Sequence, residues 1–143
     1  MTHKDEGHYS DKHEPGVRPD ERVAAAVREK AVSGEIACAD AERIGAAMGV
    51  TLAEMGRTID LLELRIARCQ LGLFGYPEGK AIPPVTEVAA DLEEAIRGGL
   101  TGGKLPCKKA WEIAAGRKIL RMAVSSACEA LKLKIKPCQL GAF

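Results

Sequence analysis

Aromatic side chains are scarce in this chain of 143 residues, at 3% of the total. Its core must therefore be built from Ala, Val, Ile, Leu and Met. No stretch is long and apolar enough for a membrane span, and none resembles a secretory h-region. The five cysteines are odd in number and include no C-x-x-C pair. A reducing cytoplasm with thiols, and not a disulfide framework, is the expectation. Nucleophile elbow, P-loop, dinucleotide fingerprint and H-E-x-x-H patterns are all missing. The run from Gly98 to Lys104 has the glycines of a phosphate loop, but Leu105 takes the hydroxyl position. His3, His8 and His13 are confined to the polar start of the chain. No catalysis is expected.

What the chain does have is a duplication. Cys69-Gln70-Leu71-Gly72-Leu73-Phe74 returns as Cys138-Gln139-Leu140-Gly141-Ala142-Phe143, at a spacing of 69 residues with no gap. The likeness runs backwards from this tag. Leu62, Leu64 and Ile66 fall on Leu131, Leu133 and Ile135, and Cys38, Ala41 and Ile44 on Cys107, Ala110 and Ile113. The chain thus reads as a disordered polar tail over 1–20, a first copy at 21–74, a Pro/Gly linker at 75–89 and a second copy at 90–143. A unit of roughly 54 residues is marginal alone, so the copies are expected to pair within the chain as a pseudo-dimer, or in a homodimer. Net charge is only +1, but it is unevenly spread. Residues 21–74 hold 7 basic and 8 acidic side chains, whereas 90–143 hold 10 and 5.

Periodicity and caps divide each copy. Asp20 caps a helix running to about Val32, and Thr86 is the expected cap of its counterpart, which Gly98-Gly99 ends. A second helix runs from about Ala39 to Met48 and stops at Gly49 in a left-handed conformation. Thr51 then opens a third, with Glu54 completing a capping box. Met55, Ile59 and Leu62 point inward. Leu64 to Leu71 reads as a short strand, as does Leu133 to Lys136. The fold expected is mainly α: two tandem three-helix units, each followed by a short β-strand.

The pattern over 41–62 resembles the helix-turn-helix transcription-regulator family, with a winged-helix cast given by the trailing strand. Ile44 and Met48 match the inward positions of the first motif helix. Gly45 matches the small residue at the helix crossing, Gly49 the turn glycine, and Met55 and Ile59 the inward positions of the second helix. The repeat register extends the likeness to 110–131, where Ile113, Ala114, Ile119 and Val124 are kept. Lys118 replaces the turn glycine there, and Leu120 the capping Thr. The resemblance implies that the second helix enters the major groove of double-stranded DNA in a small cytoplasmic transcriptional regulator. Thr51 and Arg57 would be the readers in the first copy, and Arg121, Ser125 and Ser126 in the second. Lys108, Lys109 and Lys118, with Arg117, Lys132, Lys134 and Lys136 around them, would meet phosphates. Gly56, in mid-helix, suggests that something approaches its backbone closely.

A different reading stays open beside this one. The same fold serves protein-interaction adaptors, and four cysteines are repeat-equivalent: Cys38 with Cys107, and Cys69 with Cys138. If each copy brought its two thiols together, the four would suit zinc or an iron-sulfur cluster in a metal- or redox-sensing module. Small buried hydrophobes are the simpler fate, and no metal or cofactor is assigned. Cys128, opposite Ile59 in the register, reads as a core residue. Gln70 and Gln139, polar yet present in both copies, are expected to form a hydrogen-bonded lock.

Overall fold

The structure, a computed structural model, describes residues 9–143. His3 and His8 lie outside the described residues. The protein is mainly helical, with helices α1 (Glu21–Lys30), α2 (Cys38–Met48), α3 (Leu52–Leu61), α4 (Ala90–Gly98), α5 (Cys107–Arg117) and α6 (Arg121–Ala130). Two short strands, β1 (Glu35–Ala37) and β2 (Arg65–Ala67), pair in parallel with Ile36 opposite Ile66. In the second copy this pairing shrinks to one parallel bridge, Leu105 to Ile135. There Cys107 N–H donates to the Pro137 carbonyl at 3.0 Å, and the bond that Arg65 N–H makes to the Gly34 carbonyl at 2.9 Å in the first copy has no counterpart among the described bonds. The expected strand over 64–71 is shorter for a local reason: Arg68 has φ +49°, which breaks the extended run.

The duplication is reproduced turn by turn. Gly49 and Lys118 both end their helices left-handed, at φ +68° and +56°. Val50 N–H donates to the Gly45 carbonyl at 2.8 Å, and Ile119 N–H to that of Ala114 at 3.0 Å. Glu63 and Lys132 both have positive φ, as do Gly72 and Gly141. A Cβ on Gly45 would lie 3.0 Å from the Val50 carbonyl oxygen, so a small residue is required at this crossing. Met55, Ile59, Val124 and Cys128 fill the buried faces of α3 and α6.

Caps account for where the helices begin. Asp20 accepts from Arg22 N–H at 2.8 Å and Val23 N–H at 3.4 Å. Thr51 Oγ1 accepts from Glu54 N–H at 3.1 Å. The expected cap at Thr86 does not form: α4 starts at Ala90, behind Ala89, with no side-chain cap. The irregular segment before it is tied to α6, where the Ser126 hydroxyl donates to the Pro83 carbonyl at 2.7 Å.

The compact units cut across the copies. One comprises residues 9–69 with Gln139–Phe143, and the other Gln70–Cys138. This differs from the expected 21–74 and 90–143 in one respect that matters: Gln70–Phe74 and Gln139–Phe143 each belong to the unit built from the other copy's helices. Leu71 and Leu140 are buried.

Residues 9–13 are also more ordered than their composition suggests. Tyr9–Lys12 forms a 3-10 helix with Tyr9 buried. Both Tyr9 N–H and Ser10 N–H donate to the Glu63 carboxylate at 2.9 Å. Buried Asp60 meets Lys12 Nζ at 3.1 Å and His13 Nε2 at 3.0 Å. Two carboxylates at the end of α3 therefore order a segment that has little apolar surface to bury.

Candidate nucleic-acid interface

The second unit carries the basic excess, and the geometry sorts its cations. Arg117 is ion-paired with Asp91, whose carboxyl it holds below the usual range through a hydrogen bond and its charge. Lys109 pairs with Glu112 at 3.2 Å, one helical turn on. Arg121 lies 3.8 Å from the Trp111 ring centre, and its Nη1 donates to Gln70 Oε1 at 2.8 Å. Stacking and hydrogen bond together fix its guanidinium. Gln70 thus does form a lock, onto the first residue of α6. By contrast Lys104, Lys108, Lys118, Lys132, Lys134 and Lys136 are all exposed, and none has an ion pair among the described residues.

Three of these lysines are neighbours by construction. Leu105 N–H donates to the Lys134 carbonyl at 2.9 Å, and Lys136 N–H to the Leu105 carbonyl at 2.8 Å. Leu105 and Ile135 turn inward and are buried. Side chains alternate along extended backbone, so Lys104, Lys134 and Lys136 turn outward. In the first unit the residues at the register positions of Lys104 and Lys134 are Glu35 and Arg65. There they form an ion pair, with Arg65 Nε 2.8 Å from Glu35 Oε2. A salt bridge in one unit is replaced by two like charges in the other. Lys108 follows in the first turn of α5, which has no acidic residue and no side-chain cap.

The other expected site residues divide clearly. Lys108, Lys109, Lys118 and Thr51 reach solvent. Thr51 already spends its hydroxyl on capping α3. Arg57 is half-buried and paired with Glu54 at 3.4 Å. Ser125 and Ser126 are 1% and 4% exposed, so they face the interior and cannot reach a base edge. The helical register that made them readers is correct, but α6 presents its Val124–Cys128 face to the core. Leu120, immediately before α6, is 79% exposed. No antiparallel wing hairpin follows α3 or α6 among the described residues.

Cys38 and Cys69 lie in the first unit, and Cys107 and Cys138 in the second. Cys38, Cys69 and Cys107 are buried. No group of three or more His, Cys, Asp or Glu side chains is placed to hold a metal among the described residues. Cys128 is a core residue, and burial pushes its thiol up to about 11.

Lys104 was missed by sequence reasoning because it lies in a glycine-rich turn resembling half of a phosphate loop. Comparing charges across the 69-residue register would have found it, since Glu35 and Arg65 become two lysines. No family model, curated protein or solved structure matches the chain. No helix among the described residues is long and apolar enough to cross a membrane.

Proposed function

We propose that the protein binds double-stranded DNA as a small transcriptional regulator, with α2–α3 and α5–α6 acting as tandem helix-turn-helix motifs. The observation that carries this reading is the Lys104/Lys134 pair, flanked by Lys136 and Lys108. Like charges placed side by side are destabilising, and a chain that replaces a salt bridge with them gains when an anion lies between. Phosphates along a duplex supply such anions, and a helix N-terminus such as that of α5 adds favourable N–H groups. Lys118 and Leu120 then stand at the start of α6, where a recognition helix meets base edges. Leu120 is suited to apolar contact with a thymine methyl. Arg121 is held too firmly by Trp111 and Gln70 to serve as a mobile reader. Unit one, where Arg43, Arg57 and Arg65 are paired internally, contributes less to the backbone contact.

Fluorescence anisotropy with a random-sequence duplex tests the reading. Four phosphate contacts give a slope of log affinity against log salt of about −3.6. Lys104→Glu, which restores the ion pair of the first unit, should weaken binding and flatten that slope. Absence of affinity at low salt would sink the proposal.

A further inference from the structure

The tag Gln139–Phe143 does not belong to the unit that contains the helices immediately before it. It lies on α3 and on the Tyr9–Lys12 turn of the first unit. A Cβ on Gly56 would come within 2.0 Å of the Leu140 carbonyl oxygen, so bare helix backbone is what this segment rests on. Leu140 and Ala142 are buried, and Lys12 Nζ donates to the Gly141 carbonyl at 3.2 Å. Gly141 turns the chain at φ +78° between them. This is a shaped cradle: a glycine window, two apolar seats and a cation on a carbonyl. The segment it holds is written a second time at Gln70–Phe74, in the other unit.

We propose that α3 and the Tyr9–Lys12 turn form a peptide-binding site for Gln-Leu-Gly-Ala-Phe, and that a second copy of this chain can supply the segment. The occupant is identified by the chain itself, because residues 139–143 fill the site. Nothing in the recognition requires that tag and cradle share a chain: the contacts are a backbone approach, side-chain burial and one hydrogen bond. Exchange of an identical element between protomers needs no new interface chemistry. Within one chain the tether favours the internal tag through its effective concentration. The site accepts an external one when the internal tag is disabled. This inference is independent of DNA binding.

The test uses the full chain carrying Leu140→Asp, which places a charge in the buried seat and empties the cradle. Titration with a synthetic peptide of residues 136–143, followed by amide NMR, should move Gly56 and its α3 neighbours saturably, with weak affinity. The same peptide with the Leu140→Asp change should move nothing. If Leu140→Asp leaves the first unit unfolded, recovery of its dispersed signals with peptide is the expected result. Neither shift nor recovery at millimolar peptide overturns the site. For the second copy, Gly56→Leu blocks the cradle but leaves the tag intact. Mixed with Leu140→Asp, it should give a 1:1 complex in sedimentation that neither variant forms alone. A peptide that binds while the mixture stays monomeric overturns the exchange between chains and leaves the site standing.

Discussion

The two units use one backbone and opposite chemistry. Every helix start of the first recurs 69 residues later, as do its left-handed turns at Ser33, Gly34, Gly49, Glu63 and Gly72, whereas that at Arg68 falls on Pro137 and is lost. The residues on that backbone are not interchangeable. Glu35 and Arg65 bond across the strands where the second copy has two exposed lysines, Lys104 and Lys134. Gly49 and Thr51 terminate and cap where Lys118 and Leu120 do neither cheaply. Gly56 admits a carbonyl where Ser125 buries an unbonded hydroxyl. The first unit pairs its strand charges and caps α1 and α3 with side chains, although Arg57 Nε is buried there without a hydrogen-bond partner among the described residues. The second keeps local costs, a pattern expected of a surface that meets something else.

The sharpest break of this comparison lies at Gly56 and Ser125, which are register equivalents. Gly56→Ala would add a methyl 2.0 Å from the Leu140 oxygen. Overpacking of this kind costs roughly 2–3 kcal/mol, well above the helix-propensity gain of about 1 kcal/mol. Ser125→Ala should act in the opposite direction. It removes a buried Oγ with no hydrogen-bond partner among the described residues, and relieving such a group is worth about 1 kcal/mol. Urea unfolding of both variants checks the pair. Equal signs would show that the equivalence is only one of sequence.

How much of this was legible beforehand follows from the kind of interaction involved. Short-range rules located Gly49, the Thr51–Glu54 cap and the close approach at Gly56, because each depends on a residue and its immediate neighbours. The 69-residue register located α5 and α6 once α2 and α3 were placed. What stayed hidden is non-local. Nothing near Leu140 announces that it rests on Gly56, so the exchange of tags could not be read. Composition alone left residues 9–13 unfolded, since Asp60 and Glu63, which hold them, are nearly fifty residues or more away. Ser125 and Ser126 were misjudged because a recognition helix was assigned by position in the motif, whereas burial depends on which face meets the core.

Charge exchange between the strand pairs gives a smaller effect with two readouts. Glu35→Lys in the first unit removes the ion pair and sets two cations opposite each other, at a cost of about 1 kcal/mol. Lys104→Glu in the second creates the pair and should stabilise by about 0.5 kcal/mol. Thermal unfolding measures both. Lys104→Glu should therefore raise stability while it lowers affinity for duplex DNA. A variant that loses both has been damaged in the fold, and the lysine pair would then have no bearing on binding.

The caps come next. Lys118 holds φ +56° without the freedom of glycine. Lys118→Gly should stabilise by about 0.5 kcal/mol, the difference being small because the αL region is permitted to other residues at modest cost. Gly49→Ala should destabilise the first unit by about 1 kcal/mol. Opposite signs at equivalent positions, read by denaturant midpoint at unchanged slope, would confirm that the turn is the same and only its fit differs.

The last difference is silent at neutral pH. Ile59 of the first unit is replaced by Cys128 in the second, both buried. Burial raises the Cys128 thiol from 9.0 to about 11, because the charged thiolate is disfavoured in an apolar interior. In the unfolded chain this thiol loses its proton first. Between about pH 9 and 11 the folded state holds the extra proton, so the unfolded state gains by releasing it. Stability contributed by this group is therefore complete below pH 9 and is lost as pH rises through 11. Many lysines titrate nearby, so the comparison must be a difference. Cys128→Val keeps an apolar side chain and removes the proton. The gap between variant and wild type should be flat up to pH 9 and then move in the variant's favour. A gap independent of pH would mean that the thiol is not the group whose burial distinguishes the second core.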